Sequence, residues 1–127
     1  MKHKLRYISL IFIFGFFLGG CYKDVILPEA VVDPEGPPQQ VSFNTDIAPL
    51  FVANCTAAGC HDVGSHKPYL LKDISYQSLL NGGFVNTSIP NKSVLYTMIN
   101  GEMKEYIPKA VDRQKIYDWI RNGAPNN

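Results

Sequence analysis

Apolar residues beyond position 40 recur at the spacing of short helices. Ile47, Leu50 and Phe51 share one helical face. Pro49 lacks an N–H group and belongs in a first turn, so we predict a helix from about Asp46 to Asn54. No segment shows the regular alternation of a strand and no internal repeat occurs. The pattern therefore favours an all-α domain.

Three further short helices follow from the same pattern. The last of them has Asp112 as its expected N-cap and Gly123 as its expected C′ residue. Its buried face is expected to contain Ile116, Trp119 and Ile120, which recur at helical spacing. The three helices are predicted to cover about residues 75 to 80, 94 to 100 and 112 to 122.

The N-terminal segment has the layout of a secretory signal. Lys2, Lys4 and Arg6 precede an apolar run at residues 8–18, which is too short to span a bilayer comfortably. The run ends in two glycines and Cys21, and this ending resembles the bacterial lipobox, in which the signal is cut before a cysteine that is then acylated. The alternative is an uncleaved N-terminal anchor with an incidental cysteine. Both interpretations place the remaining chain outside the cytoplasm and attached to a membrane.

Composition divides the chain into three parts. We predict a lipoprotein signal peptide at 1–20, a lipidated Cys21 with a proline-rich tether at 21–40, and a helical domain at 41–127. A domain of this size has a thin hydrophobic core and usually needs a covalent or metal staple.

Charge excludes one class of partner. Once the signal is removed, nine of the 12 Lys and Arg residues remain against 11 Asp and Glu residues, which gives a formal charge of −2. No basic patch is visible, so nucleic acid is not an expected partner.

The candidate chemistry lies at Cys55, Cys60 and His61. An exported cysteine pair normally indicates a disulfide. The covalent haem-attachment signal is C-x-x-C-H, in which two thiols add to the porphyrin vinyl groups and the histidine binds the iron. Here the Cys–His adjacency is kept, but four residues separate the cysteines. The intervening residues are small, and Gly59 tolerates unusual dihedral angles, so the segment can form a bulge.

Two alternatives to haem remain open at this motif. One is a Cys55–Cys60 disulfide with His61 on the surface. The other is a zinc site that uses Cys55, Cys60, His61 and His66. Adjacent Cys60 and His61 are poorly placed to point at one metal ion, and no second cysteine pair exists.

The flanking segments resemble a known family. FNTDIAPLFVANC (43–55) is similar to the opening helix of small exported class I-like c-type cytochromes, and IYDWIRNGA (116–124) is similar to their last helix. The longer C-x4-C-H form also occurs among multihaem cytochromes. The resemblance implies a class I cytochrome c fold around one haem c. Cys55 and Cys60 would form thioethers, His61 would be the proximal ligand, and the first and last helices would cross, with Phe51 against Trp119 or Ile120.

The distal iron ligand is expected from the later part of the chain. Met98 lies in an apolar helical stripe, where a methionine is more often core. Met103 lies in the loop before the last helix, where the family places its ligand methionine, often followed by proline. Here Lys104 follows and Pro108 comes later. The resemblance favours Met103, and a haem with no protein ligand at this position could bind oxygen, peroxide or nitric oxide.

The resulting expectation is an electron carrier and not an enzyme. It would pass single electrons between extracytoplasmic or membrane redox proteins while it is lipid-anchored to a bacterial membrane. Lys67, Lys104 and Tyr106 are candidate residues at the rim of the docking surface. The alternatives are a haem-free lipoprotein binding module with a Cys55–Cys60 disulfide, and a haem enzyme or gas sensor with an open sixth iron position.

Overall fold

The computed structural model describes residues 32–127, which form four α-helices and no strand. The expectation of a small all-α domain is therefore confirmed. The predicted signal peptide, the predicted lipidation site Cys21 and the first part of the predicted tether lie outside the described residues. The helices are α1 Ala48–Cys55, α2 Ser75–Asn81, α3 Val94–Asn100 and α4 Ala110–Arg121, with a π-helical turn at Phe43–Ile47 and 3-10 turns at Pro90–Lys92 and Lys104–Tyr106.

The first helical segment begins earlier than predicted. Ser42 caps the π-helical turn, since its Oγ accepts a hydrogen bond from the backbone N–H of Thr45 at 3.3 Å. In return, the Asp46 carboxylate accepts from the Ser42 backbone N–H at 2.9 Å. This reciprocal pairing resembles a capping box and satisfies N–H groups at the helix start. Pro49 lies in the first turn of α1, as predicted.

Helices α2 and α3 agree with their predicted ranges, and α4 differs at its start. Lys109 is the N-cap residue of α4, so the prediction of Asp112 as N-cap is wrong. Asp112 lies instead in the first turn, where a carboxylate interacts favourably with the helix dipole. The C-terminal prediction is confirmed, because Gly123 has a φ of +88°. Gly123 and Ala124 donate backbone hydrogen bonds into the last turn, which is the pattern of a Schellman motif.

The core forms where the π-helical turn meets α4. Ile116, Trp119 and Ile120 are fully buried, as predicted. The aromatic ring that contacts Trp119 is that of Phe43, with ring centroids 5.1 Å apart. Phe51 was the predicted partner, and it belongs to the same core cluster. The start of the domain therefore packs on its last helix, and α1 extends from this junction toward the candidate site.

Candidate cofactor-binding site

A cavity of about 330 Å³ lies beside the core and is partly open to solvent. Its volume falls within the range of about 300–1,000 Å³ found for small-molecule and cofactor sites. Its walls come from α1, the loop after α1, α3 and the segment that leads to α4. Most of the wall is apolar, with contributions from Phe51, Leu70, Phe84, Leu95, Ile99 and Ile107.

The sulfur and imidazole side chains singled out by the sequence meet at this cavity. Cys55, Cys60, His61, Met98 and Met103 all line it. The first three belong to the end of α1 and the loop that follows it, whereas the methionines belong to α3 and the segment after it. Two thiols and an imidazole therefore share an apolar cavity with two thioethers from a distant part of the chain.

The loop from Cys55 to His61 closes on itself. The backbone N–H of His61 donates to the carbonyl of Cys55 at 3.0 Å, and the N–H of Cys60 donates to Ala57 at 2.9 Å. Gly59 adopts a φ of +85°, a backbone conformation that residues other than glycine rarely adopt. The four residues between the cysteines thus form a compact bulge, and the ends of the motif stay together.

The His61 ring is held by backbone carbonyl groups. Its Nδ1 atom lies 2.9 Å from the carbonyl oxygen of Pro68 and 3.2 Å from that of His66. A carbonyl only accepts hydrogen bonds, so Nδ1 carries the proton and Nε2 is the nitrogen with a lone pair available to a metal. Histidine ligands to metals almost always have such a second partner, which sets the tautomer and the ring orientation.

The carbonyl of Pro68 is a functional group that sequence reasoning missed. Every residue has a backbone carbonyl, so the sequence does not show which one accepts from His61. A proline a few residues beyond His61 was the only feature that could have pointed to this position. The loop that carries Pro68 is held in place by further hydrogen bonds. Leu70 N–H donates to the His61 carbonyl at 2.8 Å, and Tyr69 N–H donates to Ser78 Oγ at 2.7 Å. The acceptor for His61 is therefore anchored both to the motif and to α2.

Cys55 and Cys60 are free thiols and are not joined to each other. Burial raises the pKa of the Cys55 thiol to about 11, and the charge of Cys60 adds to the effect. Cys55 is therefore a protonated thiol at neutral pH in the chain without a cofactor. Within residues 32–127, no three side chains of the His, Cys, Asp and Glu types are grouped to hold a metal ion, so the geometry gives no support to the zinc alternative.

Met98 and Met103 are both half-buried at the cavity wall. They lie five residues apart, and the backbone N–H of Met103 donates to the Met98 carbonyl at 2.9 Å. The prediction treated Met98 as core, whereas the structure places it at the same cavity as Met103. Both thioethers are therefore positioned in the part of the wall that α3 and the following segment supply.

The candidate rim residues differ in their relation to the cavity. Lys67 and Tyr106 line it, whereas Lys104 is exposed on the 3-10 turn beside it. A hydrogen bond to the Glu105 carboxylate raises the pKa of the exposed Tyr106 hydroxyl, and the negative charge of Glu105 raises it further.

Comparisons with protein-family models, curated proteins and solved structures find no match to this chain. Among residues 32–127, no helix is both long enough and apolar enough to cross a bilayer. The fold and the site together define a small helical domain with an apolar cavity that presents two thiols, one oriented imidazole and two thioethers.

Proposed function

We propose that the chain is a membrane-tethered monohaem c-type cytochrome that carries single electrons between extracytoplasmic redox partners. The observation that carries this proposal is the convergence of Cys55, Cys60, His61 and Met103 on one apolar cavity. We further propose a class I cytochrome c-like arrangement of the helices, and attachment to a bacterial membrane through acylated Cys21.

The residues of the cavity suit a haem c. The two thiols would form the thioether bonds, Nε2 of His61 would bind the iron, and the apolar walls would surround the porphyrin. When bound, the haem supplies a one-electron iron couple. A thioether ligand from Met103 and burial away from water would both raise the reduction potential of such a haem.

The chain itself contributes orientation and exclusion of water. The Pro68 carbonyl accepts a hydrogen bond from the Nδ1–H group of His61, which fixes the tautomer and makes Nε2 a better electron-pair donor to a metal. Phe51, Leu95 and Ile99 line the cavity with apolar side chains, which exclude water from its wall. A redox site of this kind needs rigid ligands and a low-dielectric surrounding, and it requires no acid, base or nucleophile.

The first experiment tests covalent attachment. The full chain is expressed with cytochrome c maturation enzymes, and its intact mass and visible spectrum are recorded. We expect one haem per chain, and loss of stable attachment in Cys55→Ser and Cys60→Ser. His61→Ala should lose the normal iron ligation, and His66→Ala serves as the matched control because its side chain lies in the same loop.

The outcome of that experiment separates the alternatives. A chain without covalent haem, with a mass lower by two hydrogens, would overturn the proposal in favour of a disulfide-containing binding module. Unmodified thiols together with no bound haem would overturn it as well.

The second experiment tests the distal ligand. Met103→Ala should convert a low-spin spectrum to a high-spin one and should remove the methionine–iron absorption band. Met98→Ala is the matched control, since it removes a thioether from the same cavity. Conversion by Met98→Ala instead would assign the ligand to Met98. A high-spin spectrum that neither substitution changes would indicate an open iron position and would favour a haem enzyme or gas sensor over a carrier.

A further inference from the structure

Asp118 is a buried carboxylate that the cavity does not use. It lies in α4 and is only 1% exposed. One carboxylate oxygen accepts from the backbone N–H and from the side-chain amide of Gln39, both at 3.2 Å. The other accepts from Gln114 at 2.9 Å and from Arg121 at 3.3 Å. A buried charge is costly unless such donors satisfy it, so the partners of Asp118 indicate what it holds.

What Asp118 holds is the segment Pro34–Gln39, which we call the strap. Two more hydrogen bonds join the strap to the end of α4. The side-chain amide of Asn122 donates to the Gln39 carbonyl at 2.6 Å, and Arg121 donates to the Pro34 carbonyl at 3.0 Å. The strap is thus bound to one helix near both of its ends. Its proline-rich composition had predicted a tether throughout 21–40.

The strap docks on an element that does not contribute to the cavity. Within residues 32–127, the cavity walls are formed by α1, the loop after it, Phe84, α3 and the segment up to Ile107, and no residue of α4 is among them. No residue of the strap is among those walls either, so the docked strap is not part of the cavity wall.

We propose that the strap is an orienting latch, closed by Asp118, which fixes on α4 the end of the strap that is joined to the N-terminal part of the chain. One consequence rests on the proposed function, because it requires acylated Cys21. With the strap docked, the length of chain from Cys21 to Pro34 sets an upper limit of about 45 Å on the distance between them, whereas release of the strap would allow at most about 70 Å from Cys21 to Val41. The latch would then set how far the electron carrier can move from its membrane.

Hydrogen exchange of the Gln39 amide tests the latch directly. In the full chain this amide should be protected, because it donates to a buried carboxylate. Asp118→Ala should accelerate its exchange by about 10- to 100-fold, which corresponds to loss of a hydrogen bond to a charged group. Asp112→Ala is the matched control on the same helix and should leave the exchange rate unchanged. Protected α1 amides in each variant show that the domain remains folded.

A second variant covers the case in which Asp118→Ala does not fold. Gln39→Ala combined with Asn122→Ala removes strap contacts without emptying the buried Asp118 position, and it should also accelerate exchange at residue 39. Exchange of the wild-type Gln39 amide at the rate of an unstructured peptide would overturn the latch, as would an unchanged rate in both variants. This readout does not depend on haem, so failure of the latch and failure of the cytochrome proposal are separate results.

Discussion

Gly82→Ala should disturb the cavity wall, because Gly82 lies beneath the Phe84 ring. A Cβ atom at position 82 would lie 2.6 Å from Cδ2 of Phe84 and 2.6 Å from the carbonyl oxygen of Ser78. Real Cβ atoms do not approach other heavy atoms this closely, so the ring or the end of α2 must move. Phe84 lines the cavity, and its displacement would change the space available to a bound group.

Gly82→Ala has two opposing effects on the free energy of unfolding, and their magnitudes decide whether the variant is more or less stable. Gly82 has φ −79° and ψ −5°, which alanine adopts without strain. Alanine would therefore stabilise the fold by about 0.4–1 kcal/mol through the unfolded state. Overpacking costs about 1–3 kcal/mol. We expect a net loss of about 1–2 kcal/mol, and hence a fall in Tm of about 5–15 °C for a domain of this size.

A double-mutant cycle identifies the obstacle. Thermal unfolding is measured for the wild type, Gly82→Ala, Phe84→Ala and the double variant. If the ring is the obstacle, Gly82→Ala should cost at least about 0.5 kcal/mol less once Phe84 is alanine. Equal costs in the two backgrounds would refute the reasoning and would assign the strain to the Ser78 carbonyl alone.

Three further predictions follow from local contacts. In the haem-free chain, burial and then the charge of Cys60 raise the pKa of the Cys55 thiol to about 11. The rate of Cys55 alkylation, measured by peptide mass spectrometry, should therefore still increase above pH 9, and a plateau there would contradict this. Ser93→Ala should lower the free energy of unfolding in urea by about 1–3 kcal/mol, because buried Ser93 accepts from the Asn86 N–H at 2.9 Å and that donor would lose its partner. Trp119→Phe should lower the free energy of unfolding by at least about 1 kcal/mol in the same assay, because the indole N–H of Trp119 donates to the Pro125 carbonyl at 2.8 Å and phenylalanine has no such donor. An unchanged denaturation midpoint would contradict this.

Local signals predicted the helices well where one residue type dictates the backbone. Gly83 and Gly123 follow α2 and α4 with φ of +72° and +88°, a conformation that suits glycine. The stripe at Ile116, Trp119 and Ile120 is buried because it is the apolar face of an amphipathic helix. The start of α4 was harder to predict. Asp112 is favourable both as an N-cap and within a first turn, so its presence alone does not distinguish the two positions.

Long-range contacts explain what the sequence did not reveal. Gln39 hydrogen-bonds to Asp118, which lies 79 residues later in the sequence, and no local sequence pattern predicts that contact. The composition of the strap predicted a proline-rich tether, and it carried no signal for the hydrogen bonds to α4. The Pro68 carbonyl was unpredictable for a related reason, since backbone acceptors carry no residue signature. The site side chains, in contrast, were recognisable because thiols, imidazole and thioether are uncommon and chemically distinctive.

The size of the cavity bears on how this domain becomes stable. The apolar side chains that line this cavity of about 330 Å³ lack packing partners on the cavity side, and they lose the dispersion contacts that such partners would make. The whole stability of a small domain is only about 5–15 kcal/mol, so contacts of this kind matter to it. A group that fills the cavity with apolar surface would supply these contacts, and binding that favours the folded chain adds directly to its stability. Because Cys55 ends α1 and Cys60 lies in the loop after it, covalent attachment to both would keep such a group in place through local opening of the cavity. The proposed haem would therefore act as part of the core as well as the redox centre.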